Sequence, residues 1–175
     1  RELGAMPLVG ENSARLQIDY EQNILDIAAD IELAEHFVHL EFYIFSYDSV
    51  TKPVFDAMER AVQRGVVVRA LLDHVAGLRT VGYRATRRKL TAIGVKWELM
   101  LPFAPLQGKY ERPDLRNHRK ALIVDGMRAF AGGLNLSANN VTRGNVPSDR
   151  DFHFEFRGPI VLELQYSFLG DWYFM

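Results

Sequence analysis

The chain contains no cysteine among its 175 residues, which excludes disulfides, thiolate zinc sites and cysteine nucleophiles. No apolar run approaches the roughly 20 residues that a membrane-spanning helix needs. The first residues also lack the charged-then-apolar order of a signal peptide. There is no internal repeat and no low-complexity segment. With 48% hydrophobic residues, the length suits one compact core, so we expect a single domain over residues 1–175.

The net charge is only −1, but it is unevenly distributed. From Arg79 to Lys120 there are eleven Lys or Arg residues and only three acidic ones, so this stretch carries +8 and the rest −9. Such a stretch raises the local concentration of anionic substrates such as phosphodiesters, although a solvated helix face explains part of it equally well. The near-neutral total argues against a dedicated duplex-DNA binder.

Hydrophobic periodicity predicts strands alternating with helices. Near-continuous apolar runs favour strands covered on both faces, so the predicted fold class is α/β, a mixed, largely parallel β-sheet of about seven strands flanked by helices on both faces. Asp125-Gly126 gives the strongest hairpin pattern. The predicted strands are Arg15–Asp19, Phe37–Phe45, Val66–Val75, Val95–Met100, Lys120–Val124, Arg128–Ala131 and Asp151–Phe156. Four helices are predicted: one that contains Ile24 to Ile31, two that cover Thr51–Gln63 and Tyr83–Ile93, and a last one from Gly158-Pro159 to about Trp172. The segment Leu101–Asn117 is predicted to be a loop.

Residues suited to phosphate chemistry are concentrated in one short window. His118 and Lys120 are two apart, so on an extended strand both side chains leave the same face. A reversing turn and a second strand would bring Asn135 and Ser137 back beside them as neutral donors. The window also contains Asp125, Gly132 and Gly133. A lone histidine is usually structural, and we interpret His36, His39 and His74 in that way.

This window resembles the HxKxxxxD motif of the phospholipase D superfamily. The resemblance covers nearly the whole chain, because several further stretches are similar to the first half of bacterial cardiolipin synthases. These stretches are His39–Phe45, Arg64–Arg69 followed by Asp73, and Arg150–His153 continuing to Asp171 and Trp172. It implies a phospholipase D-like catalytic half-domain with chemistry that uses no metal and no cofactor.

An imidazole near its ordinary pKa is a competent nucleophile at neutral pH, so His118 is predicted to form a phosphohistidine or to act as the partner acid. Lys120 supplies a positive charge to the phosphate oxygens, and Asn135 and Ser137 add hydrogen-bond donors. Asp125, at the hairpin turn, is expected to be structural, together with the glycine pair Gly132 and Gly133.

The resemblance places Asp151 where the family has the acidic partner of the catalytic histidine, with Asp149 as the alternative. His153 is expected in the core or behind the catalytic residues. Glu41 and Tyr43 could border the pocket, but packing is the simpler interpretation for the aromatic residues.

In-line displacement needs an acid on the leaving-group side, and one histidine cannot lie on both faces of a phosphorus atom. No other histidine is followed by a lysine two residues later. The family supplies the second motif from a tandem half or from a symmetric dimer. The ends of the chain, at Arg1 and after Trp172-Tyr173-Phe174, favour a half-domain excised from a longer protein.

The leading hypothesis is a cardiolipin synthase-like phosphatidyltransferase acting on phosphatidylglycerol-like phospholipid. One alternative is a homodimeric phosphodiesterase or nuclease of the same superfamily; another is an inactive isolated half that only binds phosphate or a membrane surface. Nucleic acid is an unlikely partner. The parent protein is expected to associate with the bacterial cytoplasmic membrane, whereas this fragment is expected to be soluble.

Overall fold

The computed structural model describes residues 10–104, 109–110, 116–138 and 151–174. Its elements alternate between strands and helices in the first half and become strand-rich in the second. In chain order they are β1 Ser13–Gln17, α1 Tyr20–Glu32, β2 Phe37–Phe42, α2 Lys52–Gln63, β3 Val67–Asp73, α3 His74–Arg79, α4 Tyr83–Ala92, β4 Lys96–Met100, β5 Phe103–Ala104, β6 Lys109–Tyr110, β7 Lys120–Val124, β8 Arg128–Gly132, β9 His153–Arg157 and α5 Ile160–Phe174.

Seven strands form the main sheet in the order β1-β9-β8-β7-β2-β3-β4, and β5 pairs with β6 separately. The prediction of a mixed sheet of about seven strands with helices is confirmed. The prediction that the sheet is largely parallel is wrong, because only the β2–β3 and β3–β4 pairs are parallel and the other four pairs are antiparallel.

The connections explain this mixture. Helical crossovers join β2 to β3 and β3 to β4, and a crossover returns the chain in the same direction. A three-residue turn joins β7 to β8, and such a turn can only reverse the chain. The apolar runs reflected burial on both faces, which does not by itself fix strand direction.

Helices cover both faces of the sheet. A larger apolar cluster joins α1, α2 and α4 to one face, with Ile27, Phe55 and Leu90 fully buried. A smaller cluster joins α5 to the other face through Val161 and Phe168. Alternate strand residues feed the two clusters, as the two-residue period of a strand requires.

The β7–β8 turn is fixed by Asp125. Its backbone is left-handed, with φ 51°, a conformation that aspartate tolerates better than most residues. Its carboxylate accepts backbone N–H bonds from Glu35, His36 and Phe37 at 2.8, 2.9 and 2.7 Å. Burial alone favours the protonated acid, but these donors outweigh it and hold the pKa of Asp125 below its usual range. Asp125 therefore joins the hairpin to the start of β2.

Several boundaries differ from the sequence predictions. The third strand ends at Asp73 because this residue caps α3, its carboxylate accepting the Ala76 N–H at 2.7 Å. The predicted loop Leu101–Asn117 contains the two short strands β5 and β6. In the described part of the chain, no helix has both the length and the apolar character to cross a bilayer.

Candidate active site

The strand directions bring most of the predicted site residues to one edge of the sheet. Phe42 at the end of β2 pairs with Lys120 at the start of β7, and Gly132 at the end of β8 pairs with His153 at the start of β9. The residues just beyond these pairs therefore meet at this edge. They include His118, Gly133, Asn135 and Asp151.

His118 and Lys120 share one aromatic neighbour, Tyr43. The exposed His118 ring stacks on Tyr43 with centroids 3.9 Å apart and planes at 21°. Lys120 Nζ lies 5.6 Å from the centroid of the same ring and donates to the His118 carbonyl oxygen at 2.7 Å. Tyr43 therefore places the imidazole and the ammonium beside each other and leaves the imidazole accessible to a ligand.

The segment leading to His118 is held on its inner side by buried carboxylates. Arg116 forms an ion pair with Asp73 at 2.8 Å, and the two side chains are 4% and 0% exposed. Its guanidinium also donates to the carbonyl oxygens of Met100 and Leu101. This pair fixes the backbone two residues before His118.

Two further carboxylates, those of Glu41 and Asp171, hold the residues on either side of His118. Asn117 Nδ2 donates to Glu41 at 2.7 Å and to Asp171 at 3.2 Å. Arg119 contacts the same two carboxylates. Burial raises the pKa of Glu41, and the charge of Arg119 opposes this shift. Asn117 and Arg119 are thus both tied to Glu41 and Asp171, and the His118 side chain between them is exposed.

Asn135 is oriented by the chain that follows β2. Its Oδ1 accepts the Ile44 N–H at 3.0 Å, and Leu136 N donates to the Ile44 carbonyl at 3.2 Å. With the oxygen engaged, the amide Nδ2 is the group that Asn135 can offer a ligand. Ile44 directly follows Tyr43, so one short segment positions His118, Lys120 and Asn135 together.

Asn135 and Ser137 do not belong to a second strand beside β7, as the sequence suggested, because β8 ends at Gly132. The segment that carries them is held instead by Tyr20 of α1. The Tyr20 hydroxyl accepts the Ser137 N–H at 2.9 Å and lies 2.9 Å from the carbonyl oxygens of both Asn135 and Ser137, to either of which it can donate its one proton. Burial raises the pKa of Tyr20, which keeps that proton in place. Ser137 is itself buried, and its role in phosphate binding stays a prediction.

Asp151 lies beside Gly133, where an added Cβ would come within 2.3 Å of its Oδ1. A side chain at position 133 would therefore displace the carboxylate. Burial lowers the pKa of Lys120, and the negative charge of Asp151 partly offsets the shift. Among the described contacts, the His118 ring has no hydrogen bond to Asp151, so the role of Asp151 as its partner stays a prediction. Asp149 lies outside the described residues.

His153 lies behind the site and is fully buried. Its Nδ1 lies 3.0 Å from Asn23 Nδ2, whereas its Nε2 has no partner in the described structure. Burial, assisted by the charge of Lys120, lowers the pKa of His153 to about 4. This histidine is therefore neutral at physiological pH.

The most informative residues that sequence reasoning missed are Tyr20 and Arg116. Tyr20 reads as the first residue of an amphipathic helix, and Arg116 as one charge in a polar loop. Their partners are 117 and 43 residues away in the chain, so no local pattern could have indicated them. Tyr43 was named from the sequence as a residue that could border the pocket, with packing as the simpler interpretation, and in the structure it contacts His118 and Lys120.

Comparison with solved structures shows that the fold is that of phospholipase D-like proteins. The chain superimposes on a phospholipase D family member, Nuc from Salmonella typhimurium, with a TM-score of 0.66, 17% identity, and coverage of 93% of this chain and 95% of that one. NucT from Helicobacter pylori matches with a TM-score of 0.62, 13% identity, and coverage of 92% and 94%. At these identities the likeness concerns the fold alone.

Sequence comparison identifies the family. Residues 27–149 match the model described as "Cardiolipin synthase, PLD-like domain". A cardiolipin synthase of Geobacillus kaustophilus is 32% identical over 99% of this chain, and cardiolipin synthase 1 of Bacillus cereus is 32% identical over 98%. The chain belongs to the cardiolipin synthase PLD-like domain family, which confirms the resemblance read from the sequence. It spans about one third of the length of these relatives, 34% and 33%.

Proposed function

We propose that this domain contributes one half of a phosphatidyltransferase site, in which His118 forms a covalent phosphohistidine with a phospholipid such as phosphatidylglycerol. The observation that carries the proposal is the arrangement around Tyr43, where an accessible imidazole stacks at 3.9 Å and the Lys120 ammonium lies against the same ring. A nucleophile and a cation side by side are what attack on an anionic phosphodiester requires.

In the first step an imidazole nitrogen of His118 attacks phosphorus, and the bond from phosphorus to the leaving glycerol oxygen breaks. That oxygen takes a proton from an acid on the opposite face. In the second step the hydroxyl of another phosphatidylglycerol attacks the phosphohistidine and loses its proton to the same group, which releases His118. Two phosphatidylglycerol molecules then give one diphosphatidylglycerol and one glycerol.

The side chains at the sheet edge have distinct roles in this scheme. Lys120 neutralises the non-bridging oxygens, and the Nδ2 of Asn135 donates to the charge that grows in the transition state. Asp151 holds the proton on the far nitrogen of His118 and stabilises the imidazolium. For Asp151 this requires the imidazole and the carboxylate to come together when substrate binds, because catalytic hydrogen bonds are often formed only in the complex.

The acid on the leaving-group side comes from a second histidine and lysine pair. A second copy of this chain or a second half of a longer polypeptide supplies it. If the second copy supplies it, turnover per chain rises with protein concentration as the dimer forms.

The proposal is tested by incubating the chain with phosphatidylglycerol vesicles and measuring cardiolipin, glycerol and acid-labile phosphate on the protein. We expect all three for the wild-type chain at concentrations where sedimentation shows a dimer, and none for His118→Ala. His36→Ala is a matched control at an exposed histidine outside the site, and it should behave as wild type. A paired chain with no lipid turnover contradicts the proposal.

The basic stretch and the single motif also support a second candidate, a homodimeric phosphodiesterase or nuclease. Parallel incubation with single-stranded DNA separates the two, because DNA cleavage that needs His118 without lipid turnover establishes the second. A strictly monomeric chain on which His118→Ala has no effect indicates an inactive half that only binds phosphate or a membrane.

A further inference from the structure

The segment from α3 to α4 leaves the sheet at the same edge as the candidate active site. Leu72 of β3 and Lys120 of β7 both pair with Phe42 of β2, so these strands are separated by only two spacings of about 4.8 Å. α3 begins directly after Asp73, which holds Arg116 at 2.8 Å. A partner that binds to α3 and α4 therefore lies on the same side of the molecule as His118.

The last turn of α3 and the connection to α4 present two exposed aliphatic side chains. Leu78 is 64% exposed and Val81 is 87% exposed. The turn itself is tightly folded, because Tyr83 packs so closely on Gly77 that an added Cβ would come within 2.3 Å of its ring. The Thr80 hydroxyl also donates to the Ala76 carbonyl at 2.8 Å. The two aliphatic side chains therefore project from an ordered backbone.

The surroundings of this turn are strongly basic. Between His74 and Ala92 the sequence has five Lys or Arg residues and no acidic residue. Lys89 forms an ion pair with Glu59, whereas Arg79, Arg84 and Arg88 are exposed and enter no ion pair within the described ranges.

A basic cleft lies beside the turn. The Arg87 guanidinium lies 4.6 Å from the centroid of the Trp97 ring. The cleft that it borders has a volume of about 710 Å³ and is lined by Arg84, Arg87, Arg88, Thr91, Ala92 and Trp97.

We propose that one surface of α3 and α4 binds an anionic phospholipid bilayer. This α3–α4 surface consists of Leu78, Arg79, Val81, Arg84 and Arg88. Leu78 and Val81 enter the apolar side of the headgroup region, the arginines contact lipid phosphates, and the cleft between α4 and Trp97 accepts one headgroup. Clustered arginines attract an anionic surface, and aliphatic tips gain free energy only when they leave water. A nucleic-acid backbone offers the first interaction but not the second, so the bilayer is the partner that uses both features.

The test is co-sedimentation with vesicles, which does not require turnover. Vesicles of equimolar phosphatidylcholine and phosphatidylglycerol are compared with vesicles of phosphatidylcholine alone. The wild-type chain is expected to bind the first and not the second. Arg84→Ala with Arg88→Ala should weaken binding by roughly fivefold for each arginine, and Leu78→Ser with Val81→Ser by roughly tenfold.

Matched controls lie at the opposite edge of the sheet. Lys96 begins β4, paired with Arg69, and Met127, 71% exposed, lies in the β7–β8 turn. Lys96→Ala and Met127→Ser should bind as the wild type does. Because all these positions are exposed, each variant is expected to fold, and far-ultraviolet circular dichroism checks this.

Three results would overturn the inference: equal binding to both vesicle types, equal loss in the control variants, or full binding by the α3–α4 variants. Binding of a single-stranded oligonucleotide that depends on Arg84 and Arg88, without vesicle binding, would assign the surface to nucleic acid instead. The measurement is repeated in His118→Ala, so failure of the proposed chemistry and failure of this surface give separate results.

Discussion

Arg116 offers the sharpest test of how the site is held. Replacing it with Met removes the partner of Asp73, whose side chain is fully buried, and removes the donors to the carbonyl oxygens of Met100 and Leu101. Leaving a buried charge without its partner costs about 3–5 kcal/mol. This is a large share of the roughly 5–15 kcal/mol by which domains are stable.

The assay is urea unfolding of the purified chain, followed by tryptophan fluorescence. Arg116→Met should lower the free energy of unfolding by the amount above. Adding Asp73→Asn removes the unpaired charge and keeps a side-chain oxygen for the Ala76 N–H, so the double variant should be more stable than the sum of the two single variants predicts.

The control is Arg60→Met, which breaks an ion pair with Glu32 at a half-exposed surface position. Such pairs contribute little, so the unfolding transition should hardly move. If Arg116→Met shifts the transition no more than Arg60→Met does, the argument that a buried ion pair anchors the segment before His118 is wrong.

Two further predictions concern buried polar groups. Burial lowers the pKa of both His39 and His153 to about 4, against about 6.5 in the unfolded chain. As the pH falls, the unfolded state binds these protons before the folded state does. The free energy of unfolding should therefore be undiminished above about pH 6.5 and should fall towards about pH 4, by roughly 3 kcal/mol for each histidine. A free energy of unfolding that is equal at both ends of this window refutes the prediction, and His39→Gln should remove about half of the pH dependence. Tyr20→Phe removes the hydroxyl that accepts the Ser137 N–H, so it should lower the free energy of unfolding by about 1–3 kcal/mol and slow the formation of phosphohistidine. Tyr166→Phe, at an exposed tyrosine of α5, should change neither quantity in the same unfolding and labelling assays.

The sequence predicted most elements because their patterns are local. The helix Lys52–Gln63 begins one residue after the predicted position and ends at the predicted one, and the hairpin strand Lys120–Val124 has the predicted bounds. Helical spacing, turn residues and glycine positions act over a few residues, so one sequence displays them directly. Strand direction does not have this property, and for that reason the largely parallel sheet was predicted wrongly.

For the site, the sequence by itself determined which side chains are present and their spacing along the chain: an imidazole and an ammonium two residues apart, followed by a glycine pair and an amide. Only the tertiary structure decided that Tyr43 contacts both the imidazole and the ammonium, that Tyr20 holds the loop carrying Asn135, and that Asp73 and Arg116 fix the approach to His118. These contacts join residues distant in the chain. Their energies depend on burial and direction, which arise only once the sheet and its helices have packed together.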